Sequence, residues 1–332
     1  MAMSSLLLAA SGQARAEDVA HALTTQVQQV FAQSQAAVVK IEASDEHGKL
    51  SGSGFIIDPQ GTIYTSYTIG GESNDIVVTF GKNRYPATRL IGDSRSGIAI
   101  LKIEAATPFL KLGRAEGASV ATPVLTVAYP MDLPVTPSLG LIAGFELQYR
   151  KRLFATTHIR TTVPVQRGQG GGPLLNLKGE VMGILISSIE GDNGCFVLPI
   201  EAAEKVRMDY LRFGEVRPGW IGIDVKTAAL KDAGSSAEVG HLIADAPASK
   251  SGLQPGDVLL QVGKVKITSP EDVLNASFYL TAGDSVPLTV SRSGEIVRLH
   301  TEVGEHPFKQ KHFQAFGPVA QPKSDILFEL QH

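Results

Sequence analysis

Residues 168–184, GQGGGPLLNLKGEVMGI, decide how the rest of the chain is read. Gly170, Gly171 and Gly172 stand in a row, Pro173 follows, and an apolar strand begins. Glycines let a backbone turn tightly and approach a partner closely, and hydrolases use a loop of this shape to present a nucleophile. Here the place for the nucleophile holds a glycine. The loop has the outline of a reactive-site turn without its reactive side chain.

On both sides of this loop the texture is that of short strands. AVVKIEAS, GSGFIID, TIYTSYTI, DIVVTF and IAILKIE precede it, with VLTVAYP, LGLIAGFELQY and HIRTTVPV; EVMGILISS and CFVLPI follow. Val, Ile and Thr dominate these runs, and Gly, Pro, Asn and Asp punctuate them closely, the pattern of an all-β sandwich or barrel. One β-rich domain is therefore expected over 36–205. Ahead of it, Val19, Leu23, Val27, Val30 and Phe31 recur at helical spacing and predict an amphipathic helix within 17–35.

Residues 200–212 are helical in character, and FGEVRPG then breaks the chain, so a linker is placed at 206–217. A second, smaller unit spans 218–304. It opens on GWIGI and carries a helix from about 270 to 280, with Ser269 as N-cap and Pro270 in its first turn. The tail, 305–332, shows no periodicity. At the other end, an apolar run and Ala14-Arg15-Ala16 look like the end of a secretory signal, so 1–16 is read as its remnant and the protein as exported.

Composition excludes several functions. The chain has 332 residues, is 43% hydrophobic and 19% charged, and carries a formal net charge of −3. No basic excess favours nucleic acid as a partner, and no apolar run reaches the ~18–20 residues of a membrane span. Arg150, Lys151 and Arg152 read as a solvated loop tip. Cys195 is the only cysteine, so no internal disulfide and no cysteine-based zinc site can form. Its setting, GCFVLPI, is that of a small buried hydrophobe. No metal or cofactor motif is present.

Seven stretches in order, AVVKIEA, GSGFIIDPQGTI, GIAILKIEA, GGGPLLNLKGEVMGI, CFVLPI, GWIGI and GLQPGDVLLQV, resemble the HtrA (DegP-like) family. The resemblance implies a mainly β fold: a trypsin-like double β-barrel followed by an α+β PDZ domain. It also implies a Ser-His-Asp triad, and all three positions depart from the pattern. Thr68 stands where the family has the histidine, Gly97 where it has the aspartate, and Gly170 where it has the serine. Neither His47 nor His158 has a spacing that places a base beside a Ser or Cys. Losing a nucleophile or base costs about a millionfold in turnover, and oxyanion donors and binding alone leave ~10³–10⁴ over water. The amides of Gly168 and Gly170 would be those donors, in a loop that three glycines should leave loosely organised.

The expectation is a chain with no catalytic residue of its own: an exported pseudoprotease acting as a scaffold, chaperone or regulator, and not an enzyme. Two other readings stand beside it. One is a serine endopeptidase with residual or relocated activity; the other is a structural subunit of an active HtrA-like protease. The PDZ resemblance implies capture of peptides or unfolded proteins by their free C-termini. Trp220, Ile221, Gly222 and Ile223 would form the carboxylate loop, and Val273, Ala276 and Ser277 would face the groove. The family also implies a homotrimer or co-assembly with an active relative, in the bacterial periplasm.

Overall fold

The computed structural model describes residues 18, 20–131, 133–189 and 194–305. The proposed signal remnant, Val19 and nearly all of the tail lie outside the described residues. A helix, α1, covers 20–34. Val30 is buried and Val27 and Phe31 pack beside it, while Leu23 is exposed, so only the second half of α1 serves the core.

The first lobe follows. It consists of β1 (Val38–Asp45), β2 (Gly48–Ile56), β3 (Thr62–Ser66), the single-turn helix α2 (Tyr67–Gly70), β4 (Asn74–Phe80), β5 (Asn83–Pro86), β6 (Thr88–Asp93) and β7 (Ile98–Lys102). These strands form one antiparallel sheet in the order β5-β4-β1-β2-β3-β7-β6. The second lobe contains β8 (Pro123–Ala128), β9 (Thr136–Tyr149), β10 (Arg152–Thr161), β11 (Pro173–Leu175), β12 (Val181–Ser188) and β13 (Cys195–Pro199). It closes into a six-stranded barrel. The fold is thus mainly β and trypsin-like, as expected. One detail differs from two closed barrels: β5 and β6 are unjoined edges, so the first lobe is a seven-stranded sheet.

Helix α3 (Ile200–Phe213) crosses the boundary drawn at 205 and ends where Gly214 takes a left-handed φ of 76°, a conformation glycine adopts without strain. Ala202, Ala203 and Val206 on α3 join Phe55, Tyr64, Leu125 and Leu198 in the core between the lobes.

The small C-terminal domain comprises β14 (Gly219–Trp220), β15 (Ile223–Asp232), β16 (Ser235–Leu242), β17 (Val258–Val262), β18 (Val265–Lys266), α4 (Pro270–Phe278), β19 (Ser285–Arg292), β20 (Glu295–Glu302) and β21 (Gly304–Glu305). Its main sheet runs β15-β16-β17-β19-β20, so β15 is an edge strand. The start of α4 was legible: the Asp272 carboxylate accepts from the Ser269 amide at 3.1 Å and from the Thr268 amide and hydroxyl, and Pro270 opens the helix.

The two domains are docked through polar contacts and one aromatic ring. Asp209 on α3 is 2% exposed; its Oδ1 accepts from the Thr281 hydroxyl at 2.8 Å. Its Oδ2 accepts from Lys205 Nζ at 2.5 Å and from the Arg217 amide at 3.0 Å. Asn275 Oδ1 on α4 accepts from the Thr156 hydroxyl and the Thr157 amide of β10. Phe278, the last residue of α4, is buried within the core of the trypsin-like domain.

Removing one member of a buried ion pair leaves the other charge stranded. Asp209→Ala is expected to cost about 3 kcal/mol for this reason, read as a lower midpoint in denaturant unfolding. Asp284→Ala breaks only the half-exposed pair with Arg212 and should cost less than about 1 kcal/mol.

Candidate functional site

The glycine loop lies between the lobes and is pinned on both sides. The Ser53 amide donates to Gly170 O at 2.9 Å, and the Ser53 hydroxyl donates to Gly168 O at 2.8 Å. That hydroxyl in turn accepts from the Tyr129 amide at 2.9 Å. Gly171 N donates to Leu185 O, and Gly172 N to Gln169 O. The buried Gln169 side chain accepts from the Gln166 amide at 2.7 Å. The expectation of a loosely organised loop is therefore corrected: bonds from Ser53 and Leu185 replace the rigidity that side chains would have given.

The three glycines do not serve the same purpose. Gly171 has φ +85°, and a Cβ there would lie 2.3 Å from Ser53 O and 2.5 Å from Thr65 Oγ1. Only glycine fits. Gly170 lies outside the left-handed region, and the nearest atom to a Cβ added there is Ser66 Oγ at 3.6 Å. A side chain fits at Gly170 without strain. Among the described residues the amides of Gly168 and Gly170 donate no hydrogen bond, which leaves both free.

Thr68, Gly97 and Gly170 converge. The Ser66 and Thr68 hydroxyls are 2.9 Å apart, and Ser66 faces Gly170. Tyr67 N donates to Gly97 O at 2.7 Å. Thr68 lies on α2, which starts directly after β3; Ser66 ends that strand and is fully buried. Ser66 is the residue that sequence reasoning passed over. Its signal was present, since it stands two positions before Thr68 in TIYTSYT, yet a serine at the end of a strand does not announce which way it points. Gly97 differs from Gly170: its φ is +79°, and a Cβ there would meet Ile186 Cγ2 at 3.0 Å.

His158 and Cys195 are engaged with other residues. His158 is buried, stacks on Phe154 at 4.3 Å between ring centroids, and donates from Nδ1 to Thr156 O at 2.8 Å. Burial pushes its pKa down to about 4, so it is neutral at physiological pH. Burial pushes the Cys195 thiol up to about 11, although its contact with the Thr161 hydroxyl works against the rise. It is a poor thiolate nucleophile. Among the described residues no group of three His, Cys, Asp or Glu side chains could hold a metal.

The candidate groove lies in the second domain. The Ile221 and Gly222 carbonyls accept from Ala248 N and Ile243 N, fixing the GWIGI turn. Among the described residues the amides of Ile221 and Gly222 donate to nothing. Trp220, Ile221, Gly222 and Ile223 line one cavity with Val273 and Ser277. Ala276 does not: it is 1% exposed and sits in the core of the domain, because α4 turns that face toward the sheet, and Leu274 lines the cavity in its place. Gly222 has φ +80°, and a Cβ there would lie 2.2 Å from Ala246 Cβ, so this glycine is required by the turn itself.

Two sequence families match. The trypsin-like peptidase domain covers residues 52–184, and the PDZ domain covers residues 219–303. A trypsin-like module followed by a PDZ module defines the class. Within that class the relatives this chain resembles are HtrA/DegP-like. It is 32% identical over 273 residues to a DegP-like periplasmic serine endoprotease of Pseudomonas fluorescens, covering 78% of this chain and 57% of that one. It is 31% identical over 283 residues to the Halomonas elongata protein of the same description, covering 81% and 60%. The chain thus spans about three fifths of the length of these relatives. Among solved structures it resembles the HtrA-type protease AlgW with tripeptide (TM-score 0.69, 24% identity, 85% of this chain and 97% of that one). It also resembles the serine endoprotease from Yersinia pestis (TM-score 0.59, 25% identity, 84% and 98%). No helix among the described residues is long and apolar enough to cross a membrane.

These names correct one expectation. The chain was read as not an enzyme because of Thr68, Gly97 and Gly170; the proteins it matches are named serine endoproteases, and they point to a protease.

Two outcomes are expected of this centre. Gly170→Ser should leave the unfolding midpoint unchanged, because the added atoms meet only ordinary contacts. Gly97→Asp should cost roughly 1–3 kcal/mol, because it forces a side chain into left-handed backbone. For His158 the folded pKa lies below the ordinary value of 6.5. The unfolded chain therefore binds the proton more readily, and stability present above pH 6.5 is lost as pH falls toward 4, by roughly 3 kcal/mol over the full window. His158→Gln should flatten that part of a stability-against-pH profile.

Proposed function

We propose that this chain is an HtrA/DegP-like protein of the periplasm that works in serine-endoprotease proteolysis, taking hold of substrate proteins by their free C-termini. The observation that carries the reading is the open edge of β15 beside α4, with the unengaged amides of Ile221 and Gly222 at one end of the groove. An extended peptide adds to such an edge as a further strand, and backbone donors take its terminal carboxylate. Trp220, Ile223, Val273 and Leu274 suit an apolar terminal side chain.

For hydrolysis by the chain itself, the hydroxyl placed nearest the family's serine position is that of Ser66, backed by Thr68 and lying beside Gly170. Among the described residues no histidine or carboxylate is hydrogen-bonded to it. A serine without a base is a weak nucleophile, so hydrolysis at Ser66 needs a proton acceptor brought to it. Thr68, Gly97 and Gly170 favour a second source of chemistry, an active HtrA-like subunit in a shared assembly, for which this chain supplies frame and peptide groove.

The test uses purified chain with a fluorophosphonate probe and unfolded casein, alone and mixed with an active DegP-like protease. Probe labelling lost in Ser66→Ala supports the relocated nucleophile. Cleavage accelerated only in the mixture, with a mixed oligomer by mass, supports co-assembly. No labelling, and a mixture no faster than the active protease alone, would overturn the proteolytic reading.

A further inference from the structure

The groove is not enclosed by the PDZ domain alone. A cavity of about 1340 Å³ runs from the GWIGI turn and α4 onto the trypsin-like domain, where its wall includes Arg95, Ser96 and Gly97 of the turn between β6 and β7. Arg95 is placed there by stacking: its guanidinium carbon lies 4.5 Å from the centroid of the Phe278 ring. Phe278 ends α4, and the carboxylate turn passes the same end of the helix, since Gly219 N donates to Leu280 O and Ala282 N to Arg217 O. Arg95 and the two free amides therefore face the same end of the groove from different domains.

The charge on Arg95 is unmet. Its Nε and Nη2 are buried without a hydrogen-bond partner among the described residues. Asp93 and Asp209 act on it only at range; Asp93 Oδ2 is engaged by the Ser96 amide, and the Asp209 oxygens by Lys205, Thr281 and Arg217. Burial pushes the guanidinium below its usual value, against the pull of those two acids. Buried donors left unpaired are costly, and a guanidinium is matched best by a carboxylate. Of the other cations lining the cavity, Arg217 is already paired with Glu215 and Glu305, and Lys151 and Arg152 come from the β9–β10 hairpin.

We propose that Arg95 is the cationic half of the peptide-carboxylate site, so that a free C-terminus is held by the Ile221 and Gly222 amides of one domain and by the guanidinium of the other. The inference rests on the groove reading given above and deepens it: recognition belongs to the docked pair of domains.

The experiment uses the full chain and a short fluorescein-labelled peptide ending in valine, as free acid and as C-terminal amide, followed by fluorescence anisotropy. The unaltered chain should bind the free acid at least about tenfold more tightly than the amide. Arg95→Gln should weaken the free acid about tenfold and leave the amide unchanged, and Arg95→Lys should recover part of the loss. The unchanged amide affinity is the control for domain docking. If Arg95→Gln weakens both peptides equally, Arg95 acts only through its stack on Phe278 and the assignment is overturned. A free-acid preference that is undiminished in Arg95→Gln overturns it as well, while the groove reading stands. A chain that binds neither peptide overturns both.

Discussion

The arrangement depends on one buried carboxylate. Asp209 gathers Lys205 from its own helix, the Arg217 amide from the connecting segment and the Thr281 hydroxyl from the PDZ domain. Each of the three brings a donor that would be unsatisfied without it. Burying a charge is costly unless it is paired and hydrogen-bonded, and here every bond fixes a different segment. That side chain, with Asn275 and Phe278, ties the two domains together and so frames the cavity they share.

The glycine loop has an analogous logic. Gly171 is fixed by the close approach of Ser53 O and Thr65, which is a demand of the fold and has nothing to do with chemistry. Gly170 is under no such demand. Ser53 holds the loop by its amide and its hydroxyl, so the shape persists whatever side chain position 170 carries. This is why a loop can keep the outline of a nucleophile turn with glycine at its centre. It also separates shape from chemistry: the loop keeps its course by bonds to Ser53 and Leu185, independently of any side chain at position 170.

Much of the fold was legible in the sequence because its signals are local. Alternating apolar runs marked the strands, and Ser269, Pro270 and Asp272 marked the start of α4. The chain order of GGGPLLNLKGEVMGI and GWIGI pointed to the domain pair. What was missed is long-range. Asp209 looks like an ordinary exposed acid on an amphipathic helix, and nothing nearby says that Thr281 will cover it. Arg95 gains its meaning from Phe278, far along the chain. Ala276 was placed in the groove because helical spacing defines a face but does not say which domain layer that face meets. Gly97 reads as a simple replacement, and its left-handed backbone, in which an L side chain is strained, is visible only in the structure.

The open edge of β15 has a further consequence. Unpaired strand edges invite other strands, including the same edge of another copy, and proteins usually blunt or cover them. Here α4 stands along one side, and the docked trypsin-like domain closes the approach from another. A second sheet arriving side-on meets α4 and the trypsin-like wall of the cavity. On the proposed reading of the groove, the walls that would shape it for a peptide also oppose pairing of this edge with another copy of the chain.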